Sequence, residues 1–254
     1  MAGAALPLSI AIDGPAASGK TSAGRRLAAQ LGYLMFDTGA LYRALTLIAA
    51  RNGVGAGDEP GLVRLIAEHQ IDVAPRTETE LGYAVLVDGE DVTAELRSPA
   101  VTAAVSPVSA HEGVRDAMLP PQRQIAERGS VVMVGRDIGT VVLPDADLKI
   151  YLDASVEARA RRRFRERIAG GAAERYDDVR RSVAARDEID SSRDVAPLRA
   201  AADSVVVDTD ACDLDGVVRH LAGLVDRWPD DLTTGGGESP CGAHVDSVAL
   251  EGSR

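Results

Sequence analysis

The stretch from Ile10 to Thr21 constrains the fold of this chain more than any other. An apolar run, Ile10-Ala11-Ile12, leads into Gly14-Pro-Ala-Ala-Ser-Gly-Lys-Thr21, which matches the pattern G-x-x-x-x-G-K-[ST]. In that pattern the glycines let a strand turn tightly into a helix, and backbone N–H groups point inward as an anion-binding nest. The positive end of the helix dipole faces the same nest. The stretch therefore predicts a phosphate-binding loop for a nucleoside triphosphate.

The loop also predicts a set of binding residues and one metal ligand. Lys20 is one of only two lysines among 28 basic residues, so its place in the motif is improbable by chance. The Thr21 hydroxyl can hold a Mg²⁺ ion that bridges the terminal phosphates. An ordinary glycine-rich turn is the alternative, which the flanking strand and helix disfavour. The predicted triphosphate-binding residues are Gly14, Pro15, Ala16, Ala17, Ser18, Gly19, Lys20, Thr21 and Ser22.

Beyond the loop, apolar runs alternate with helical patterns, which predicts an α/β fold with a parallel sheet flanked by helices. Residues 1–53 and 129–228 are expected to form this core. The strands that follow the loop are predicted at 33–36, 131–134, 148–152 and 205–207.

Residues 54–128 depart from this pattern and are predicted to be an insertion with its own small sheet. Apolar residues alternate over 83–87 before Asp88-Gly89, which is a hairpin turn signal. A helix is predicted at about 113–128. We expect its Pro120-Pro121 pair to kink or split it, because proline removes a helical hydrogen bond and clashes with the preceding turn.

Polar turns follow two of the predicted core strands, at Asp37-Thr38 and at Arg136-Asp137. Because the carboxyl ends of parallel strands share one edge of a sheet, we expect both turns to meet Lys20 around one crevice. The apolar positions of the helix that follows the first turn leave Tyr42 and Arg43 off the core.

An arginine-rich helix starts at about residue 155 and ends near Gly170-Gly171. We expect an arginine-bearing lid at about 159–178 that closes over the triphosphate, with the glycines as a flexible tip. For any single arginine, a solvated surface position is the simpler interpretation. A site rich in arginine, without an evident nucleophile or histidine base, suits phosphoryl transfer, where catalysis is mostly positioning and charge neutralisation.

Charge and hydropathy exclude several classes of protein. The net charge of −11 argues against a general nucleic-acid or anionic-membrane surface. The first nine residues lack the basic start of a signal peptide, and no apolar stretch is long enough to span a bilayer. We expect a cytoplasmic monomer that binds no nucleic-acid polymer and no membrane. Residues 229–254 have linker composition and are expected to be disordered.

The chain from about Ser9 to Trp228 resembles the bacterial cytidylate kinases. Six motifs carry the resemblance, several of them absent from other P-loop kinases. They are Ile10-Ala-Ile-Asp-Gly-Pro with the phosphate loop, Asp37-Thr-Gly-Ala-Leu-Tyr-Arg43, Asp88-Gly-Glu-Asp-Val-Thr93, Gly135-Arg-Asp-Ile-Gly-Thr-Val-Val142, Leu148-Lys-Ile-Tyr-Leu-Asp-Ala154 and Arg186-Asp187.

The resemblance implies a P-loop nucleoside monophosphate kinase, in which residues 54–128 form the NMP-binding insertion and a short lid carries arginines. Its reaction would transfer the γ-phosphoryl of ATP to CMP or dCMP, with Mg²⁺ accompanying ATP. The implied acceptor contacts are Thr38, Tyr42, Arg43 and Arg136 for the phosphate, Ser106, Arg115 and Asp137 for cytosine, Arg186 and Asp190 for the ribose, and Arg193 close to both base and phosphate. Arg162 and Arg163 match lid positions near the ATP phosphates. The implied catalytic set is Lys20, Arg136, Arg162 and Arg193.

Three features depart from the family pattern, and several alternatives stay open. Ile189 stands where an arginine often occurs, Pro120-Pro121 makes the orientation of Arg115 less certain, and the tail after Trp228 has no counterpart. The acceptor could instead be UMP, AMP or a non-nucleotide alcohol. A GTP-dependent switch would need an Asn-Lys-x-Asp motif, which the sequence lacks.

At single positions, structural roles compete with these functional ones. Arg136-Asp137 could be a structural ion pair at a strand end. Asp190 and Arg193 share a helical face and could be a plain surface pair. Ser106, directly before a proline, could be a turn or cap residue.

Overall fold

The computed structural model describes residues 6, 8–76 and 82–229 of the 254-residue chain. Apart from Pro229, the tail predicted to be disordered lies outside the described residues. The strands are β1 Ser9–Asp13, β2 Leu34–Asp37, β3 Ile71–Pro75, β4 Tyr83–Val87, β5 Glu90–Asp91, β6 Val131–Val134, β7 Leu148–Asp153 and β8 Val205–Asp208. The helices are α1 Lys20–Leu31, α2 Gly39–Arg51, α3 Glu59–Glu68, α4 Pro99–Ala110, α5 Glu112–Ala126, α6 Val156–Ala169, α7 Tyr176–Ser192 and α8 Leu214–Arg227.

A five-stranded sheet in the order β2-β6-β1-β7-β8 forms the centre of the molecule. Every neighbouring pair is parallel, and β1 lies between β6 and β7. The strands of the middle of the sheet are short, apolar and buried, as expected where helices cover both faces. The predicted parallel α/β core is therefore confirmed, and its strands all end at the same edge.

Helix α1 packs closely on the sheet because it carries a glycine where the two meet. A Cβ built on Gly24 would lie 2.8 Å from a methyl carbon of Val134. Leu27, fully buried, continues the same face one turn later. Gly32 ends the helix in the left-handed conformation, with φ 71°, as its position in the sequence predicts.

Between α2 and β6 the chain forms a second, antiparallel sheet in the order β3-β4-β5, together with α3, α4 and α5. Asp88 and Gly89 have φ values of 50° and 85°, which suit the tight turn predicted between β4 and β5. Tyr83 contacts Phe36 edge to face, with ring centroids 5.8 Å apart, and so attaches this small sheet to β2. The division of the chain into a core and an insertion with these boundaries stays a prediction.

One local prediction is wrong and another is wrong in part. Helix α5 runs without a break through Pro120 and Pro121, so the expected split does not occur, whereas the expected kink stays a prediction. Its apolar face, with Val114 and Met118 fully buried, holds the helix together despite the lost hydrogen bonds. Tyr42, expected off the core, is only 7% exposed, because its ring packs inward beneath a guanidinium group.

Within the described part of the chain, no helix is both long and apolar enough to cross a membrane.

Candidate active site

The phosphate loop has the geometry that its sequence predicts. Gly14, Ala17 and Gly19 have φ values of 142°, 61° and 98°, so the chain turns through left-handed conformations between β1 and α1. A Cβ at Gly14 would collide with the carbonyl oxygen of Leu152, which leaves glycine as the residue that fits. The strain at Ala17, which is not a glycine, is typical of loops shaped for a ligand.

Lys20 lies inside this loop. Its Nζ donates to the Pro15 carbonyl at 2.6 Å and to the Ser18 hydroxyl at 3.4 Å, and the residue is 5% exposed. Burial lowers the pKa of Lys20 well below its usual range, and the nearby Arg136 lowers it further, whereas Asp37 and Asp13 oppose the shift. The lysine and Arg136 are thus close enough for mutual repulsion, and an anionic ligand would relieve it.

Thr21, the last residue of the loop motif, pairs its hydroxyl with the carboxylate of Asp37. The Thr21 hydroxyl donates to Asp37 Oδ2 at 2.8 Å, and Asp37 Oδ1 accepts from the Gly39 N–H at 3.0 Å. Across the described residues there is no cluster of three or more His, Cys, Asp or Glu that could hold a metal. A hydroxyl and one carboxylate still fit Mg²⁺, which binds few protein oxygens and completes its shell with phosphates and water. Asp37 belongs to a predicted turn but not to the predicted site residues.

Arg162 of α6 contacts the phosphate loop. Its guanidinium donates to the Ser18 carbonyl at 3.3 Å, to the Thr209 hydroxyl at 3.1 Å and to the Thr209 carbonyl. Thr209 itself is fully buried and donates to the same Ser18 carbonyl at 3.3 Å. Sequence reasoning missed Thr209, although its place two residues after the predicted strand 205–207 was a usable signal. Arg163 instead pairs with Glu166 at 3.2 Å.

A second arginine of the same helix has a structural role. Arg159 is 4% exposed, donates to the carbonyls of Ala154 at 2.8 Å and Ala16 at 3.2 Å, and pairs with Asp187 at 2.6 Å. It therefore joins the phosphate loop to α6 and α7.

A charged cluster lies across the sheet edge from the loop. Arg136 Nε donates to Asp190 Oδ2 at 2.8 Å, and Arg115 donates to Asp137. Arg193 reaches both carboxylates, at 3.8 Å from Asp137 and 4.0 Å from Asp190. Its side chain and those of Asp137 and Asp190 are each 7% exposed, so the surface-pair interpretation of Asp190 and Arg193 is wrong.

Arg186 joins the cluster at 3.9 Å from Asp190. Within the described part of the chain, these four guanidinium groups pair with two carboxylates, which leaves the cluster with an excess of two positive charges. Burial lowers the pKa of Arg186 to about 10, and repulsion by Arg136 adds to the shift. Burial raises the pKa of Asp190, but its arginine neighbours outweigh burial and hold that pKa below the usual range.

Several polar atoms of this cluster lack a hydrogen-bond partner within the described residues. They are Arg115 Nε, Arg186 Nε and one terminal nitrogen of Arg193, all buried. Buried donors without hydrogen-bond partners are rare in proteins, and two of these lie beyond hydrogen-bond range of the nearest carboxylate, Arg186 Nε at 3.9 Å from Asp190 and the Arg193 nitrogen at 3.8 Å from Asp137. The arrangement suits an anionic ligand that also offers hydrogen-bond acceptors.

Tyr42 supports the cluster from beneath. The Arg115 guanidinium lies over the Tyr42 ring, 5.5 Å from its centroid, and Gln122 Nε2 donates to the Tyr42 hydroxyl at 3.3 Å. Gln122 is 1% exposed and was missed, since a lone glutamine in a helix gives no sequence signal. Arg115 is therefore oriented into the site although α5 carries two prolines.

The other predicted acceptor contacts, Thr38, Arg43 and Ser106, differ in burial and in the hydrogen bonds that they form. Thr38 is 4% exposed at the start of α2, and its hydroxyl donates to the Val134 carbonyl at 3.3 Å. Arg43 donates to the Leu96 carbonyl and the Thr102 hydroxyl, each at 3.1 Å. Ser106 is half-buried within α4, so its interpretation as a turn or cap residue is wrong.

The sequence also allows a structural ion pair between Arg136 and Asp137. In the structure each forms its contacts with other residues, Arg136 with Asp190 and Asp137 with Arg115 and Arg193. The turn thus links two separate helices to the edge of the sheet.

The phosphate loop with its lysine lies at the end of a central parallel strand, and the buried arginine cluster lies at the same edge of the sheet. This combination defines a P-loop phosphotransferase of the small-molecule kinase class. The family model for cytidylate kinase matches residues 10–227. The chain belongs to the cytidylate kinase family.

Curated relatives agree with that assignment. The cytidylate kinase of Geobacillus kaustophilus (strain HTA426) is 48% identical over 220 residues, which cover 87% of this chain and 97% of that protein. The cytidylate kinase of Geobacillus sp. (strain WCH70) is 46% identical over 218 residues, 86% of this chain and 96% of its own. Among solved structures, a shikimate kinase from Bacteroides thetaiotaomicron aligns with a TM-score of 0.43 at 15% identity, over 85% of this chain and 97% of that one.

Proposed function

We propose that the protein transfers the γ-phosphoryl group of ATP to CMP or dCMP, giving ADP and CDP or dCDP. The observation that carries the proposal is the cluster of four arginines and two aspartates opposite Lys20, with its excess of positive charge and its unpartnered buried donors. A triphosphate in the loop and a monophosphate in the cluster would bring the two reacting phosphates together.

The reaction needs positioning and charge neutralisation more than acid-base chemistry. An oxygen of the acceptor's phosphate attacks the γ-phosphorus, the bond to the β–γ bridging oxygen breaks, and the negative charge passes to ADP. Because the attacking phosphate is already anionic, no general base is required. Lys20 and the loop N–H groups hold the donor phosphates, and Arg162 reaches the loop from α6. Arg136 and Arg193 lie where charge develops on the migrating group.

Mg²⁺ fits the Thr21 and Asp37 oxygens, and it would neutralise charge on the donor phosphates when bound with ATP. Arg163 is assigned to the same phosphates because it matches a lid position of the family, although its guanidinium pairs with Glu166 at 3.2 Å in this structure. Thr38 and Arg43 contribute to the acceptor phosphate site.

Base selection is assigned to Asp137, Arg115 and Ser106. A carboxylate accepts a hydrogen bond from the amino group of cytosine, whereas uracil presents an oxygen at that position and would face the carboxylate with like polarity. Asp190 and Arg186 are assigned to the ribose. These roles rest on the arrangement of the cluster and on the family to which the chain belongs.

Initial rates of ADP release with ATP, Mg²⁺ and each of CMP, dCMP, UMP, AMP and shikimate test the proposal. We expect turnover with CMP and dCMP that exceeds the other acceptors by at least about tenfold, because a mispaired base leaves buried groups unsatisfied. Release of ADP at the same rate without any acceptor would contradict it and would favour a nucleotide-hydrolysing switch.

The proposal includes a cytoplasmic monomer with no polymeric nucleic-acid partner. Size-exclusion chromatography with light scattering measures the mass of the particle, and a dimer would refute that part without affecting the assigned reaction.

A further inference from the structure

One buried carboxylate joins the start of the phosphate loop to the turn that carries the acceptor-site charges. Asp13 is the last residue of β1 and directly precedes Gly14, and it is 4% exposed. Its Oδ1 accepts from the Ile138 N–H at 2.8 Å, and its Oδ2 accepts from the Gly139 N–H at 2.7 Å. Both carboxylate oxygens are therefore bonded to consecutive N–H groups of a segment more than 120 residues away.

Those two N–H groups follow Asp137 immediately, so their position sets the position of the turn. The Asp137 carbonyl accepts from the N–H groups of Val141 and Val142 at 2.9 and 3.1 Å, which makes the segment after the turn a compact helical unit. Before the turn, the Gly135 N–H donates to the Ile12 carbonyl at 3.0 Å as part of the sheet. Between these fixed ends, the Asp13 side chain accepts the hydrogen bonds from Ile138 and Gly139, the first two residues of the helical unit.

The surroundings of Asp13 favour neither a fully charged nor a fully neutral state. Burial raises the pKa of Asp13 to about 6, the two backbone N–H groups lower it, Asp137 raises it and Lys20 lowers it. Tyr151 lies opposite Asp13 in the β1–β7 register, and burial raises its pKa to about 12. The Lys149 side chain packs on Gly139 but pairs with Asp203 at 2.6 Å.

We propose that ionised Asp13 is a positioning residue that sets the Arg136-Asp137 turn relative to the phosphate loop and thereby controls affinity for the acceptor nucleotide. The inference rests on the proposed function, because it concerns the acceptor half of that site. Protonation of one carboxyl oxygen of Asp13 converts a hydrogen-bond acceptor into a donor, which then faces a backbone N–H that is also a donor. The turn then loses one of its two bonds to β1, and the cluster loses its alignment with the donor phosphates.

The variant Asp13→Asn tests this, since the amide keeps the size of the side chain but offers one acceptor oxygen to two N–H groups. We expect the KM for CMP at pH 8 to rise roughly tenfold or more, the effect of losing a hydrogen bond to a charged group, and the KM for ATP to change less than about threefold. The phosphate loop keeps its supports from Arg159, Arg162 and Thr209.

Asp147→Asn is the matched control. Asp147 accepts from the Leu8 and Ser9 N–H groups at 3.0 and 2.9 Å, at the opposite end of the same strand. We expect this variant to keep both KM values. Equal effects of the two substitutions, or an equal rise in both KM values for Asp13→Asn, would refute the positioning role.

The pH profile separates positioning from a general structural defect. The ratio of the KM for CMP in Asp13→Asn to that in the unaltered protein should fall from about tenfold at pH 8 towards one at pH 5, because Asp13 becomes neutral. Titration of the nucleotide's own phosphate is common to both proteins and cancels. A ratio that does not change with pH would contradict the inference.

Inhibition of the unaltered protein by cytidine needs no variant and keeps the inference testable if Asp13→Asn does not fold. The base and sugar of cytidine do not titrate between pH 5 and 8, so we expect its inhibition constant to rise below pH 6, and a flat profile would overturn the inference. Absence of CMP-dependent ADP release from the unaltered protein is a separate outcome, which would refute the proposed function itself.

Discussion

Removal of Asp190 tests how far the acceptor cluster depends on its shared carboxylate. Asp190→Ala leaves Arg136, Arg186 and Arg193 facing one another with a single aspartate, Asp137, to balance them. Breaking a buried ion pair typically costs about 3–5 kcal/mol. The Arg136 side chain is 20% exposed and Asp190 is 7% exposed, so the low end of that range applies, about 3 kcal/mol.

That loss corresponds to a fall in Tm of roughly 6–12 °C, at about 2–4 °C per kcal/mol for a chain of this size. Thermal unfolding followed by circular dichroism at pH 7.5 measures it, with Glu188→Ala, an exposed acidic residue of the same helix, as the control. The pKa of Asp190 is lower in the folded protein than its usual value. The stability that Asp190 contributes is therefore fully present at pH values above the usual pKa, and it is lost as the pH falls through the lowered pKa.

The same variant reports on the acceptor's sugar. If the carboxylate binds the 2′-hydroxyl, the KM for CMP rises more than the KM for dCMP. A Tm within 2 °C of the Glu188→Ala value, together with equal changes in the two KM values, would refute both the role of Asp190 as the shared carboxylate of the cluster and its assignment to the ribose.

Three further outcomes are expected. Lys20→Met should reduce turnover by roughly 10²-fold or more while Tm stays equal or rises, since a buried cation with a lowered pKa is removed; unimpaired ADP release would contradict its role. Because the pKa of Asp13 is raised in the folded protein, the stability that protonated Asp13 contributes is fully present below pH 3.8 and is lost as the pH rises through about 6. Relative to Asp13→Asn, the free energy of unfolding should thus fall by about 2 kcal/mol between pH 4 and 7, measured by urea titration, and a constant difference would disprove the shift. Chelation of Mg²⁺ by EDTA should stop ADP formation without altering the circular dichroism spectrum, and persistent turnover would exclude a metal requirement.

Local signals in the sequence were sufficient for much of the fold. The phosphate loop, the buried strand Val131–Val134 and the Asp88-Gly89 hairpin each follow from patterns only a few residues long, and the structure confirms them. The family resemblance was likewise carried by short contiguous motifs and is confirmed by the family model. Such features are decided by backbone conformation and by periodic burial, which depend on neighbouring residues.

The errors and omissions arose where distant segments meet. The unbroken helix through Pro120-Pro121 depends on packing of its apolar face, which local propensity does not include. Tyr42 is buried because Arg115, far away in the chain, covers its ring. Asp13 and Thr209 gained their contacts only when strand ends converged at one edge.

The sequence by itself thus determined the kind of chemistry, since the loop motif and the wealth of arginines specify phosphate binding, and it determined the family. Only the tertiary structure decided which charges share a partner. Arg136 pairs with Asp190 rather than with its neighbour Asp137, and the Asp13 carboxylate at the end of β1 accepts hydrogen bonds from the segment that follows the Arg136-Asp137 turn. The physical reason is that electrostatic and hydrogen-bond energies depend on separation and burial in space, and these are set by packing of the whole chain rather than by distance along it.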